Sequence, residues 1–201
     1  MAKPTKIVLD ALAGSGLLLK QDKLLPNVVT LLTGESLRTS WWSHPKAHLI
    51  FAVLSELADH PDVLFTKLLY GKDTLVHRRL WPALLAVARA GEPWQFQKLS
   101  TPARKLLEKM KQSEAPVRSS GPPAKEIETR LLAHAEEVHT ESGHHEILLE
   151  PWPVWQRRVR VKPLRSTRRA HEQLAEAARS IDAPLSALPW VAKSRTRRNR
   201  A

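Results

Sequence analysis

Leu99-Ser100-Thr101-Pro102-Ala103-Arg104-Lys105-Leu106-Leu107-Glu108-Lys109-Met110 opens the stretch on which the fold turns, residues 99–152. Thr101 can cap a helix there, and Pro102 falls in the first turn, where a missing N–H costs nothing. Ala103, Leu106, Leu107 and Met110 recur at i, i+3, i+4 and i+7, a single apolar stripe. Residues 115–118 suit a short strand. Gly121-Pro122-Pro123 breaks the chain and starts a second helix, predicted over 124–135 with Ala124, Ile127, Leu131 and Leu132 facing inward. Strands are predicted at 138–140 and 146–149. Glu141-Ser142-Gly143-His144 between them supplies a turn, with Gly143 free to take positive φ.

Helix, short strand, helix, hairpin is the order of parts in a winged helix, with one departure. A full winged helix places another helix ahead of the second one, and Ser119-Ser120-Gly121-Pro122-Pro123 leaves room only for a turn. The fold expected is α+β, mainly α with small β-hairpins: winged-helix-like modules followed by a basic C-terminal helix and tail. Three units are drawn, 1–98, 99–155 and 156–201.

Toward the N-terminus, one helix is predicted over 6–12 and another from about residue 24. Pro26 is tolerated at the start of that second helix, Val28, Val29, Leu31 and Leu32 are buried, and Gly34 ends it. Ser40-Trp41-Trp42-Ser43-His44-Pro45-Lys46 follows. Two adjacent tryptophans cannot both face one core from a regular element, so one packs inward and the other lies on a groove or partner surface. Pro45 opens a helix to about 58, with Ala47, Ile50, Phe51, Leu54 and Leu57 inside, stopped by Asp59-His60-Pro61-Asp62. Residues 63–69 and 74–80 are strand-like around the turn Tyr70-Gly71-Lys72-Asp73. Trp81-Pro82 begins a helix over 83–90 carrying Leu84, Leu85, Val87 and Ala88. Glu92-Pro93-Trp94-Gln95-Phe96-Gln97 forms the joint to the next module.

Toward the C-terminus, the prolines of Pro151-Trp152-Pro153-Val154-Trp155 predict an extended aromatic strap rather than a regular element. Residues 156–165 are basic and alternating, Arg158, Arg160 and Lys162 against Val159 and Val161. Ser166 or Thr167 caps a helix to about 181 with Ala170, Leu174, Ala177 and Ile181 on one face. Residues 193–201 form a basic arm with no apolar pattern, for which disorder is the default.

Charge divides the chain unevenly. Of a net +12, residues 156–201 contribute 13 Lys/Arg against three acids, whereas the first 155 are nearly balanced. Cations at this density attract polyanions by releasing their counterions, so nucleic acid is the first partner to consider, against the plainer reading of a solvated basic extension. No apolar run approaches the roughly twenty residues of a membrane span. There are no cysteines, which excludes disulfides, cysteine nucleophiles and thiolate-ligated zinc. Met1-Ala2-Lys3-Pro4 lacks a secretory signal, so a cytoplasmic location is expected.

Two passages resemble a known family. One is Ser40-Trp41-Trp42-Ser43-His44-Pro45-Lys46 with Gly71-Lys72, Thr74 and His77-Arg78-Arg79-Leu80-Trp81-Pro82-Ala83-Leu84. The other is Arg130-Leu131-Leu132 through Glu136-Glu137-Val138-His139-Thr140-Glu141-Ser142-Gly143. Together, over roughly residues 24–152, they resemble a poorly characterised bacterial winged-helix family distantly similar to the DNA glycosylases that repair interstrand crosslinks. The resemblance implies a DNA-binding architecture. Those glycosylases carry a Gln-apolar-Gln motif at the catalytic site, and Gln95-Phe96-Gln97 matches it literally, though at a linker.

The chemistry expected is therefore binding. On the second helix of the 99–152 module, Lys125, Glu128, Thr129, Arg130 and His134 face solvent, and Arg130 and Thr129 can reach base edges or phosphate. Glu136, Glu137, Glu141 and Glu146 make the following wing acidic, which suits a protein partner better than DNA. Stronger phosphate ligands are Arg157, Arg158, Arg160, Lys162, Arg165, Arg168 and Arg169. In the first module, Trp41 or Trp42 with Lys46, His77, Arg78 and Arg79 can line a nucleic-acid groove, base on ring and phosphate on cation. The alternative for these cations is pairing with Asp59, Asp62 and Asp73. No metal and no cofactor are expected: Pro45 spoils the His44/His48 pairing on one helix face, and His144-His145 alternate across a strand. Glu136, Glu137, Glu141 and His77 are acid–base candidates without a recognisable catalytic string, and there is no P-loop. The reading is sequence-tolerant nucleic-acid binding, duplex DNA first. A glycosylase-like enzyme using Gln95 and Gln97 and a protein-interaction adaptor are the alternatives, with oligomeric state open.

Overall fold

Two three-stranded antiparallel sheets organise the protein, in a computed structural model that describes residues 3–113, 115–139 and 145–191. The first half begins with α1 (Pro4–Ser15), whose proline sits in the first turn. Gly16, at φ 84°, reverses the chain directly into β1 (Leu17–Leu19). A Cβ there would lie 2.9 Å from both Arg79 Nη2 and Leu80 Cδ1, so the turn requires glycine on two counts. Asn27 caps α2 (Val28–Thr33) by accepting from the Thr30 N–H at 2.9 Å. A 3₁₀ turn at Trp41–Ser43 leads to α3 (Ala47–Ala58). Ile50, Leu54 and Leu57 are buried as the stripe predicts, with Val53 beside them. Phe51, expected inside, is 46% exposed, and Leu31 of α2 is 37% exposed.

β2 (Val63–Leu69) and β3 (Lys72–His77) form a hairpin in which Leu69 pairs with Lys72. Tyr70 and Gly71 alone make the turn, at φ 55° and 66°. Two successive left-handed residues are the hairpin turn that matches strand twist. Lys72 and Asp73, expected in the turn, therefore belong to the strand. β3 stops at His77, and Arg78–Leu80 form a 3₁₀ turn rather than continuing the strand. The sheet order is β1-β3-β2.

α4 (Trp81–Ala88) is buried on nearly every side, which fits its position between the first sheet's core and the C-terminal helix. α5 (Pro93–Phe96) is a single turn joining the halves. The second half runs α6 (Thr101–Lys111), β4 (Val117–Ser119), α7 (Gly121–Thr129), β5 (His134–His139) and β6 (His145–Glu150), with sheet order β4-β6-β5. Ser100, not Thr101, caps α6. α7 ends well before residue 135, because Leu131 turns left-handed at φ 51° and the Leu132 N–H returns to the Ile127 carbonyl at 3.0 Å. β5 consequently begins at His134 and the hairpin is longer than predicted. The turn expected at Glu141-Ser142-Gly143-His144 lies outside the described residues.

The aromatic strap is a helix. α8 (Trp152–Val159) starts with Pro151 at its cap and Pro153 in its first turn, positions where proline takes no hydrogen bond away. Trp152 and Trp155 are buried, and the Trp152 indole N–H donates to the Leu131 carbonyl at 2.8 Å. α9 (Thr167–Arg179) is capped by Ser166, which accepts from the Arg169 N–H. Its Ala170, Leu174, Ala177 and Ala178 join one core with Leu17, Leu19, Leu64, Leu84 and Leu85. Beyond α9, the Ala187 carbonyl accepts the Tyr70 N–H at 2.8 Å. The boundary drawn at residue 156 thus falls inside α8, and the C-terminal segment is built into the body. The basic arm 193–201 lies outside the described residues. Among the described residues no helix is long and apolar enough to cross a membrane.

Candidate nucleic-acid interface

The basic segment is laid out by an alternation in which the apolar residues hold it down. α8 ends at Arg160, in the left-handed conformation at φ 56°. The Leu164 N–H then donates to the Pro82 carbonyl at 2.9 Å, and Val159, Val161 and Leu164 pack on the core. Arg157, Arg160, Lys162, Arg165 and Arg169 are left exposed, with no ion pair among the described residues. Arg158 and Arg168 differ. Arg158 makes a two-pronged contact to Glu150, Nε to Oε1 at 3.2 Å and Nη2 to Oε2 at 2.7 Å, on a carboxylate that is almost wholly buried. That hydrogen-bonded carboxylate holds the Arg158 guanidinium above its usual range. Arg168 pairs with Glu172 at 3.0 Å, both exposed. Arg168 and Arg169 also crowd the first turn of α9, which carries no acid and where the helix dipole already disfavours cations.

In the first half, most expected ligands hold the fold. Trp41 is buried, while Trp42, stacked on it at 4.0 Å, is 60% exposed and lies 5.7 Å from Phe51. The Lys46 ammonium donates to the Leu32 and Thr33 carbonyls at 3.1 and 3.2 Å, closing the C-terminus of α2. His77 accepts the Arg79 N–H at 3.3 Å, and burial, then Arg79, lowers its pKa. Arg78 lies over the Trp81 ring at 5.5 Å and 3.9 Å from Asp62. Arg79 donates to the Ala13 carbonyl and, at 2.9 Å, to that of Gly14, tying down the end of α1. α3 carries no Lys or Arg; its exposed residues include His48, Phe51, Ala52, Ser55 and Glu56.

The joint between the halves absorbs two more candidates. Gln95 is completely buried. Its Oε1 accepts the Glu92 N–H at 2.9 Å, and its Nε2 donates to the Ala88 and Arg130 carbonyls at 2.9 and 3.4 Å. Arg130 donates from Nη1 to the Trp94 carbonyl at 2.8 Å and lies 3.6 Å from Glu126. Gln97 is exposed and ends α5, its N–H on the Pro93 carbonyl. Gln95 and Gln97 therefore share no open surface on which a substrate could meet both.

Residues that the sequence did not bring together meet in a cleft of about 680 Å³ between α3 and β2 on one side and β5 and α8 on the other. Glu128, expected on a solvent face, is only 9% exposed, because α7 packs against β2 on its far side. Burial, with Asp73 and Glu137 nearby, pushes its pKa up to about 7. Lys67 and Lys20 flank Asp73, Lys20 at 3.3 Å. Burial opposes charge in that pair, but the opposite partner prevails: Asp73 is lowered and Lys67 raised. His134, on β5 rather than a helix, packs its ring against Trp152 and Trp155 at 6.0 and 5.7 Å. Burial, then Arg158, drives its pKa down to about 3, so it is neutral at pH 7. A patterned sequence reading carries no signal for these shifts, since they arise from the packing of one half on the other. No group of three or more His, Asp or Glu among the described residues is arranged to hold a metal ion. No protein family, curated protein or solved structure matches the chain.

Proposed function

We propose that the protein binds nucleic acid, duplex DNA in the first instance, with little sequence preference, and that the segment 157–169 is its phosphate-binding edge. The observation carrying this reading is the set Arg157, Arg160, Lys162, Arg165 and Arg169, exposed and unneutralised among the described residues within 13 residues that hold no acid. The body is proposed to be two winged helices. The first half supports this with the order helix, strand, two helices, two strands and the first strand beside the last. The second half has the same sheet order with one helix fewer. Weak sequence preference follows from α3, the helix in the base-reading position, which has no Arg or Lys to address a base edge. Kinship with the crosslink-repair glycosylases is proposed for architecture alone, since Gln95 is locked in the joint.

The test is a salt titration of binding to a labelled random-sequence duplex. Five phosphate contacts give a log–log slope of about −4.5, or an affinity loss of about 500-fold between about 50 and about 200 mM salt. A slope flatter than about −2 removes the counterion-release basis of the proposal.

A further inference from the structure

A recess of about 360 Å³ opens between the β2–β3 hairpin and α7. Four lysines from separate parts of the chain line it: Lys20 directly after β1, Lys67 on β2, Lys72 at the start of β3 and Lys125 on α7. The hairpin turn abuts α7, since a Cβ at Gly71 would lie 3.5 Å from Thr129 Cγ2. Lys125 stands one helical turn before Thr129 and so shares the face of α7 that meets the hairpin. Like charges gathered from distant points in the sequence repel one another, so collecting them in one place costs stability.

The acids at hand do not balance them. Asp73 is the one acid lining the recess among the described residues, and Lys20 and Lys67 share it. Lys72 reaches Asp22 at 2.6 Å, on a carboxylate that also accepts the Leu24 and Leu25 N–H groups. Lys125 is exposed and makes no ion pair among the described residues. Four lysines against Asp22 and Asp73 leave an excess of two positive charges. Glu128 and Glu137 also act on Lys67, but both line the larger cleft and neither lines this recess. Glu128, titrating at about 7, carries only part of its charge at neutral pH. The same contacts hold the ammonium groups in place without exhausting them. Lys20, Lys67 and Lys72 each use one hydrogen bond to a carboxylate, and an ammonium has further donors to offer.

A fixed, concave set of ammonium groups with positive charge in excess fits a compact polyanion. The volume lies at the lower end of small-ligand sites, which suits a short chain of phosphoryl groups and is too small for a duplex. Such a chain concentrates several negative charges over a few ångströms, whereas a lone carboxylate leaves the excess uncancelled. A base finds no platform here: Trp41 lines the recess but is 6% exposed, and Trp42 stacks on its ring at 4.0 Å. We propose that this recess binds the di- or triphosphate of a small ligand, a nucleotide among them, through Lys20, Lys67, Lys72 and Lys125, without selecting the base. None of the four lies in the 157–169 edge, so the site stands or falls apart from the nucleic-acid reading.

The probe is sodium tripolyphosphate, titrated into the nuclease-treated full chain by isothermal titration calorimetry in magnesium-free buffer at neutral pH and physiological salt. The expected result is saturable one-to-one binding with a Kd below about 1 mM, and adenosine and cytidine triphosphates that agree within about threefold. Lys72→Gln/Lys125→Gln weakens tripolyphosphate binding at least about tenfold, through lost charge-assisted hydrogen bonds. Lys125→Gln alone, which breaks no ion pair, weakens it at least about threefold. Lys105→Gln/Lys109→Gln makes the same change of charge on the exposed face of α6 and alters affinity less than about twofold. All four substituted lysines are exposed, and far-UV circular dichroism confirms that each variant folds. Absence of saturable binding, or an equal loss in the α6 control, overturns the proposal. A loss of about tenfold in Arg160→Gln/Lys162→Gln/Arg165→Gln instead moves the site to the 157–169 edge and also overturns it. Duplex affinity that falls in Lys72→Gln/Lys125→Gln by about tenfold more than in the α6 control assigns these lysines to a nucleic-acid backbone and overturns the small-ligand assignment. A protein that binds tripolyphosphate but no duplex refutes the nucleic-acid reading and leaves this one standing.

Discussion

Replacing Glu128 with glutamine should tilt a stability profile to which two buried groups contribute in opposite senses. Glu128 titrates at about 7 in the folded protein against 4.5 for the free side chain. Between those values the folded state keeps a proton that the unfolded state releases, so stability is full below pH 4.5 and falls as pH rises toward 7. His134 titrates at about 3 against 6.5. Between those values the unfolded state takes up a proton that the folded state refuses, so stability is full above pH 6.5 and falls as pH drops toward 3. Each slope is about 1.4 kcal/mol per pH unit, and over the shared window from pH 4.5 to 6.5 they cancel. Glu128→Gln removes one slope and unmasks the other: stability rises with pH by about 2 kcal/mol across that window relative to the parent. His134→Phe does the reverse by a similar amount. Urea unfolding followed by tryptophan fluorescence at three pH values measures both. Other titrating groups, Asp22, Asp73, Glu126 and His77 among them, are common to parent and variants, so the difference isolates the two. A Glu128→Gln profile parallel to the parent's within about 0.5 kcal/mol would show that the buried carboxyl does not hold its proton.

Further outcomes follow from individual contacts. Arg160→Gln/Lys162→Gln/Arg165→Gln should flatten the duplex salt slope by about 3, with the melting temperature unchanged. Arg158→Gln should cost about 1–3 kcal/mol in urea unfolding by stranding the buried Glu150, while Arg157→Gln next to it costs less than about 0.5 kcal/mol. Gly16→Ala should destabilise by about 1–2 kcal/mol, through left-handed strain plus displacement of Arg79 from the end of α1. Gln95→Leu should cost about 2–3 kcal/mol, since the Glu92 N–H and the Ala88 carbonyl each lose a buried partner; an unchanged midpoint would remove Gln95 from the joint.

Sequence was legible where one face of one element decided the outcome. α9 was readable because Ser166 caps it and Ala170, Leu174 and Ala177 share a stripe that a single neighbour, α4, covers. The β2–β3 hairpin was readable from its β-rich runs and Gly71. β1 was missed because Leu17-Leu18-Leu19 is buried on both faces, leaving no alternation to detect. α8 was missed because proline stops a helix from within yet suits its start, and Pro151 and Pro153 sit at the start. Glu128 was placed on the wrong face because α7 is covered on two sides, by its own core and by β2, and only the first leaves a periodic trace. The site divided in the same way. Arg160 and Lys162 can be read as exposed from their alternation with Val159 and Val161, whereas nothing in the sequence marks Lys46, Arg79 and Arg130 as unavailable to phosphate. Backbone carbonyls brought close by the fold claim those three, and carbonyls leave no mark in a sequence.

The core shared by the ends of the chain has a consequence for how the protein is made. Leu17 and Leu19 pack in one cluster with Leu174, Ala178 and Leu188, which are synthesised long after them. While the ribosome is still translating, α4 has its own helix but not the apolar cover that α9 provides. The nascent protein must therefore carry that uncovered leucine- and alanine-rich helix until α9 has emerged, an interval in which it is open to aggregation.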